Sequence, residues 1–128
     1  MDKFITKKWT YVGNEPRIIN IKKKELNKKN IKNFQEWISK SNSLYIGRDM
    51  CHHVNGTYQS KWHNPFSHTK YKKYICLEMY ENYIKNTPKL YDSLNELTGK
   101  ELGCWCSPSI CHGDILIKLW KEKNEIKI

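Results

Sequence analysis

At 128 residues and 38% hydrophobic content, the chain has material for one compact domain with a modest core, and not for two. No stretch approaches the roughly 20 apolar residues needed to span a bilayer, and Met1-Asp2-Lys3-Phe4 does not open an apolar signal sequence, so a soluble, cytoplasmic protein with no membrane partner is expected. A formal charge of +10 admits nucleic acid as a partner, but of 23 basic residues only Arg17 and Arg48 are arginines, and the lysines equally describe a solvated surface.

Residues 1–16 carry Phe4, Ile5, Trp9, Tyr11 and Val12 without clean periodicity and end at the turn signal Gly13-Asn14-Glu15-Pro16, which predicts an N-terminal arm or edge strand. Arg17-Ile18-Ile19-Asn20-Ile21 is a β-branched run suited to a buried strand. After the lysine runs at 22–24 and 28–29, Ile31, Phe34, Trp37 and Ile38 share one face of a predicted helix. Leu44-Tyr45-Ile46-Gly47 reads as a second strand, ending at Arg48. From Asp49 to Thr69 little regular structure is predicted, and that loop holds Cys51, His52, His53, His63 and His68.

Tyr71, Tyr74, Ile75, Met79 and Tyr83 mark an amphipathic helix that stops before Pro88, and Leu90, Leu94 and Leu97 mark another, closed by Gly99. Glu101 to Trp105 is a third strand, and Ile115, Leu116, Leu119 and Trp120 give the last helix a buried face before a polar tail at 122–128. Strands separated by helical segments predict an α/β fold with a mainly parallel sheet of three to five strands.

Chemistry concentrates in the segment from Cys104 to Asp114, which joins the third strand to the last helix. Strand ends feeding helix starts are where open α/β sheets bind ligands, and a helix N-terminus offers unpaired N–H groups and partial positive charge. That dipole makes Cys111 a candidate thiolate nucleophile and His112 a candidate proton carrier. Asp114 is a third candidate catalytic residue, or else a cap on the same helix. An odd count of five cysteines leaves at least one unpaired, and no disulfide framework is expected. Cys104 and Cys106, about 6.6 Å apart on one side of a strand, sit near the outer limit for a direct disulfide.

No metal is expected. The alternative is zinc on Cys104, Cys106, Cys111 and His112, a spacing that departs from common knuckles and would gain from His52, His53 or His63. Cys104 alone reads as a small buried hydrophobe. Gly47-Arg48 at a strand end offers backbone access and a charged fork for phosphate or carboxylate, or else a surface ion pair. Asn64-Pro65-Phe66 is a turn whose amide can bond a ligand or its own backbone, with Trp62 packed beneath.

Taken in order, Tyr45-Ile46-Gly47-Arg48, Lys61-Trp62-His63-Asn64-Pro65-Phe66, Leu97-Thr98-Gly99-Lys100 and the Cys-Trp-Cys to Cys-His-Gly-Asp run resemble the family catalogued as domain of unknown function 4326, seen in bacteria, phages and large DNA viruses. The likeness covers residues 17–121. It implies a small Rossmann-like three-layer α/β domain without an assigned activity, and a shared pocket at Gly47, Arg48, Trp62, Asn64, Pro65, Phe66, Cys104, Cys106, Cys111, His112 and Asp114. A viral member would reside in the host cytoplasm. This chain departs from the pattern at His63, where the family often has glycine, in a longer connection after Ile21, and in an insertion carrying Cys51-His52-His53.

The leading expectation is a pocket at the C-terminal ends of the strands that takes a nucleotide or other phosphorylated small molecule. Gly47, Arg48, Trp62, Asn64 and Cys106 would bind it, and Cys111, His112 and Asp114 would supply any catalysis. A non-catalytic, basic nucleic-acid-binding module, with or without zinc, is the alternative. A viral accessory protein that docks on a host partner is a third.

Overall fold

In the computed structural model the described residues are 14–66, 70–106 and 109–125. The predicted arm falls largely on residues 1–13, outside them, as does His68. Three strands form one sheet: β1 (Arg17–Asn20), β2 (Ser43–Tyr45) and β3 (Glu101–Cys104), in the order β1-β3-β2. Both pairings are parallel, with Ile19 and Tyr45 opposite Gly103. The α/β class and the parallel sheet follow from the alternation of apolar runs with helical stripes.

Between β1 and β2 lie α1 (Lys23–Asn27) and α2 (Phe34–Ile38); between β2 and β3 come a long loop, α3 (Lys73–Lys85), α4 (Pro88–Tyr91) and a 3₁₀ turn at Leu94–Leu97; α5 (His112–Asn124) closes the described chain. The helix expected from Ile31 to Ile38 starts only at Phe34, and a further short helix, α1, forms over the lysine run before it. Asn30 sits at φ 63°, which breaks the helical path, and the Asn33 side chain then caps α2 by accepting from the Glu36 N–H at 2.9 Å. In α3 the buried face is Cys76, Leu77, Tyr80 and Ile84, one row over from the predicted stripe; Ile75, Met79 and Tyr83 flank it half-buried, and Tyr74 is 65% exposed.

Side chains of β3 alternate between two packed clusters. Leu102 and Cys104 join Ile46, Tyr80, Leu116 and Trp120 in one. The opposite direction belongs to Gly103, where a Cβ would come within 2.4 Å of the Trp37 ring that fills the space, beside Ile21. Ile19, Ile21, Leu26, Phe34, Trp37 and Tyr45 make the second cluster. Both outer strands extend by one rung past their formal ends, with Ile21 N–H on the Cys104 carbonyl at 2.9 Å and Ile46 N–H on that of Gly103 at 3.3 Å. The C-terminal ends of the strands therefore converge on Lys22, Arg48 and Trp105.

Candidate functional site

The C-terminal edge of the sheet is organised by Tyr45. Its ring is fully buried, and its hydroxyl accepts from the Trp105 indole N–H at 2.9 Å and donates to the Arg48 carbonyl at 2.6 Å. Burial pushes this phenol up, the Trp105 hydrogen bond and the Arg48 charge pull it back, and the net is upward, so it stays a neutral donor. Gly47 lets the chain cross over that ring, since a Cβ there would lie 2.5 Å from the Tyr45 oxygen. The Gly47 carbonyl in turn accepts from Ser60 N–H at 3.0 Å, which ties the following loop back to β2. Arg48 leaves this anchored backbone exposed, and its guanidinium makes no ion pair among the described residues.

Beside this unit a cleft of about 220 Å³ opens between Trp105 and Phe34, floored by Ile21 and rimmed by Lys23, Asn33, His53 and Asn55. It is smaller than the roughly 300–1,000 Å³ of pockets that enclose a drug-sized ligand, so it fits a ring rather than a whole nucleotide. A second cavity, about 380 Å³, lies at the opposite end of the strands around Arg17, Lys40 and Glu101. Glu101 is already occupied there: it accepts from Trp37 Nε1 at 3.1 Å and pairs with Lys40 Nζ at 2.9 Å and Arg17 at 3.5 Å.

The Cys104 to Asp114 segment differs from expectation in its chemistry. Cys111 is 3% exposed, packed in the cluster that holds Leu102 and Leu116. A hydrogen bond with the Cys104 thiol and burial push its thiol far up, and the Gly113 N–H at the helix start pulls it down by less. The expected thiolate nucleophile is thereby overturned: hydrocarbon and a neighbouring thiol outweigh the dipole. His112 points Nε2 at the Ile46 carbonyl, 2.6 Å away, so that nitrogen carries a proton and bridges α5 to β2. Its ring meets Tyr80 edge-on at 5.2 Å. Asp114 accepts from the Cys111 N–H at 2.8 Å, the capping role.

The remaining candidates divide between packing and rim. Trp62 is fully buried, donating from Nε1 to Glu96 at 2.9 Å and accepting at its carbonyl from the Tyr80 hydroxyl at 2.6 Å. Asn64 accepts from the Phe66 N–H at 3.0 Å, so its oxygen serves its own turn. Cys106 is half-buried near Lys22 and Lys73. Among the described residues no three His, Cys, Asp or Glu side chains converge as metal ligands, the zinc set Cys104, Cys106, Cys111 and His112 included. Neither of these two cavities is lined by Arg48, Cys111 or His112.

With that geometry in hand, the family model described as domain of unknown function (DUF4326) matches residues 26–122. The chain belongs to this family. The DUF4326 span takes in Phe34, Arg48, Trp105 and α5 as far as Glu122, and begins after β1 and Ile21. The chain is also similar to uncharacterized protein R718 of Acanthamoeba polyphaga mimivirus, 36% identical over 87 residues that cover 61% of this chain and 66% of that protein, a little under two thirds of its length. No solved structure matches.

The residues missed by sequence reasoning are Tyr45, Phe34 and Trp105. The sequence pattern places Phe34 on the apolar face of a helix and Tyr45 and Trp105 in strands. The available signal was that Trp105 faces opposite Cys104 and Cys106 on the same strand end, toward the helix carrying Phe34.

Proposed function

We propose that this DUF4326 member binds a nucleotide or similar phosphorylated small molecule at the C-terminal edge of its sheet, in a Rossmann-like setting. A planar ring enters between Trp105 and Phe34, and the phosphate lies over the rim toward Arg48, with Lys22 and Lys23 as further cations. The supporting observation is the hydrogen-bonded run from the Trp105 indole through Tyr45 to the Arg48 backbone, which fixes cleft wall and cation in one rigid unit. An exposed arginine held by its backbone, with no carboxylate partner among the described residues, suits a phosphate better than a packing role does.

Calorimetric titration with adenosine, AMP and ADP tests this. Affinity should rise with phosphate count, and Arg48→Ala should weaken ADP by about tenfold, the size expected for one charge-assisted bond, while leaving adenosine unchanged. No heat with any of the three, or equal loss for adenosine and ADP, contradicts the reading.

A second reading is favoured by the exposed lysines at 22–24 and 28–29 around α1, which suit a phosphate backbone. Such binding weakens steeply between about 50 and 200 mM salt and shows no sequence preference.

A further inference from the structure

Three of the five thiols gather where β3 gives way to α5. Cys104, the last residue of β3, is 2% exposed, and Cys111, the residue that precedes α5, is 3% exposed; both belong to one packed cluster and their thiols share a hydrogen bond. Cys106 borders the same cluster but is half-buried, and burial and the neighbouring Cys104 push its thiol up by more than Lys73 and Lys22 pull it down. The other two lie apart, with Cys51 exposed in the loop after β2 and Cys76 buried in α3. All five are thiols in this structure.

We infer that Cys104 and Cys111 form a redox-active dithiol, oxidised by a low-molecular-weight disulfide that reaches them through Cys106. A fully buried thiol is a poor first nucleophile, whereas the half-exposed Cys106 can be met by a small disulfide. The Cys106 thiolate attacks one sulfur of that disulfide, the S–S bond breaks, and the first small thiolate leaves and takes up a proton. Cys104, giving up its proton, attacks the Cys106 sulfur and expels the second small thiol. Cys111 then attacks Cys104 and returns Cys106 to a thiol. Two protein thiols lose two electrons and two protons, and one small disulfide becomes two thiols.

The final exchange favours Cys111 because its thiol already shares a hydrogen bond with that of Cys104. A Cys104–Cys106 link, by contrast, has to close across Trp105, whose side chain packs in the opposite cluster. The product staples the N-terminus of α5 to the central strand. It does not depend on any ligand in the Trp105 cleft.

The test uses the full chain with Cys51→Ser to remove the exposed thiol. Incubation with glutathione disulfide, acid quenching, alkylation under denaturing conditions and fragment mass spectrometry report each sulfur. The expected result is loss of two alkylatable thiols, with Cys104 linked to Cys111 and Cys106 alkylated. Cys106→Ser should leave Cys104 and Cys111 alkylatable over the same time. Glutathione retained on Cys106 with the other two thiols intact overturns the inference, as does a Cys104–Cys106 product. Oxidation of Cys106→Ser at the parent rate overturns the access route.

Discussion

Single residues at the sheet's C-terminal edge are held by contacts that leave little slack. Gly103 has no room for a methyl group, because Trp37 occupies the position a Cβ would take. Gly103→Ala should therefore cost about 1–3 kcal/mol of stability through overpacking, read as a lower urea midpoint with unchanged slope. Asp114, expected to work on a substrate, instead accepts from the backbone of Cys111, and Asp114→Ala should cost about 1 kcal/mol in the same assay. Cys111 shows how a correct local rule loses to its surroundings. The helix start does pull its thiol toward ionisation, but Cys104 and the enclosing Leu102, Leu116 and Ile46 push the other way with greater effect. A spacing pattern reports which residues neighbour a helix end; it carries no information about what a distant strand packs over them.

Among the elements, two carboxyl groups are held by cations, Glu101 at the N-terminal end of the sheet and Glu81 between α3 and α5. At the N-terminal end, burial pushes the Glu101 carboxyl up, while hydrogen bonds from Lys40, Trp37 and Arg17 and the charge of Lys40 outweigh it and bring it below the ordinary 4.5. Glu81, bridging α3 to α5, is lowered by hydrogen bonds from Lys85 and Lys118. A carboxyl depressed in the folded state stabilises above its unfolded value, and that contribution fades as pH falls through the folded one. Thermal unfolding should thus be flat near neutrality and lose midpoint below about pH 4.5, and the drop should shrink in Glu101→Gln. The strands and their order of appearance were legible because β-branched runs alternate with helical stripes. The late start of α2 was not, since Asn30 adopts a left-handed conformation that the apolar spacing of Ile31, Phe34 and Trp37 does not register. Nor was the row shift in α3, where aromatic and aliphatic residues occupy two adjacent rows and tertiary packing chose Cys76, Leu77, Tyr80 and Ile84.

For the molecule as a whole, topology brings together what the sequence keeps far apart. Parallel pairing of β2 with β3 sets Tyr45 beside Gly103, and two residues further on the Trp105 indole reaches the Tyr45 hydroxyl across 60 positions of chain. Arg48 was legible as a strand-end cation, but its partner in the proposed site is the aromatic cleft rather than the cysteine–histidine turn, because Cys111 is packed in the core and His112 is bonded to the Ile46 carbonyl. Among the described residues no helix is long and apolar enough to cross a membrane. The measurement that bears most directly on the central claim is a two-dimensional ¹H–¹⁵N titration of the full chain with ADP. Saturable shifts centred on the Trp105 indole, Phe34, His53 and Arg48, with the Arg17 and Glu101 end of the sheet unmoved, are the predicted result. Shifts confined to the 22–29 lysines that vanish on adding salt, or no shifts at millimolar ADP, contradict it.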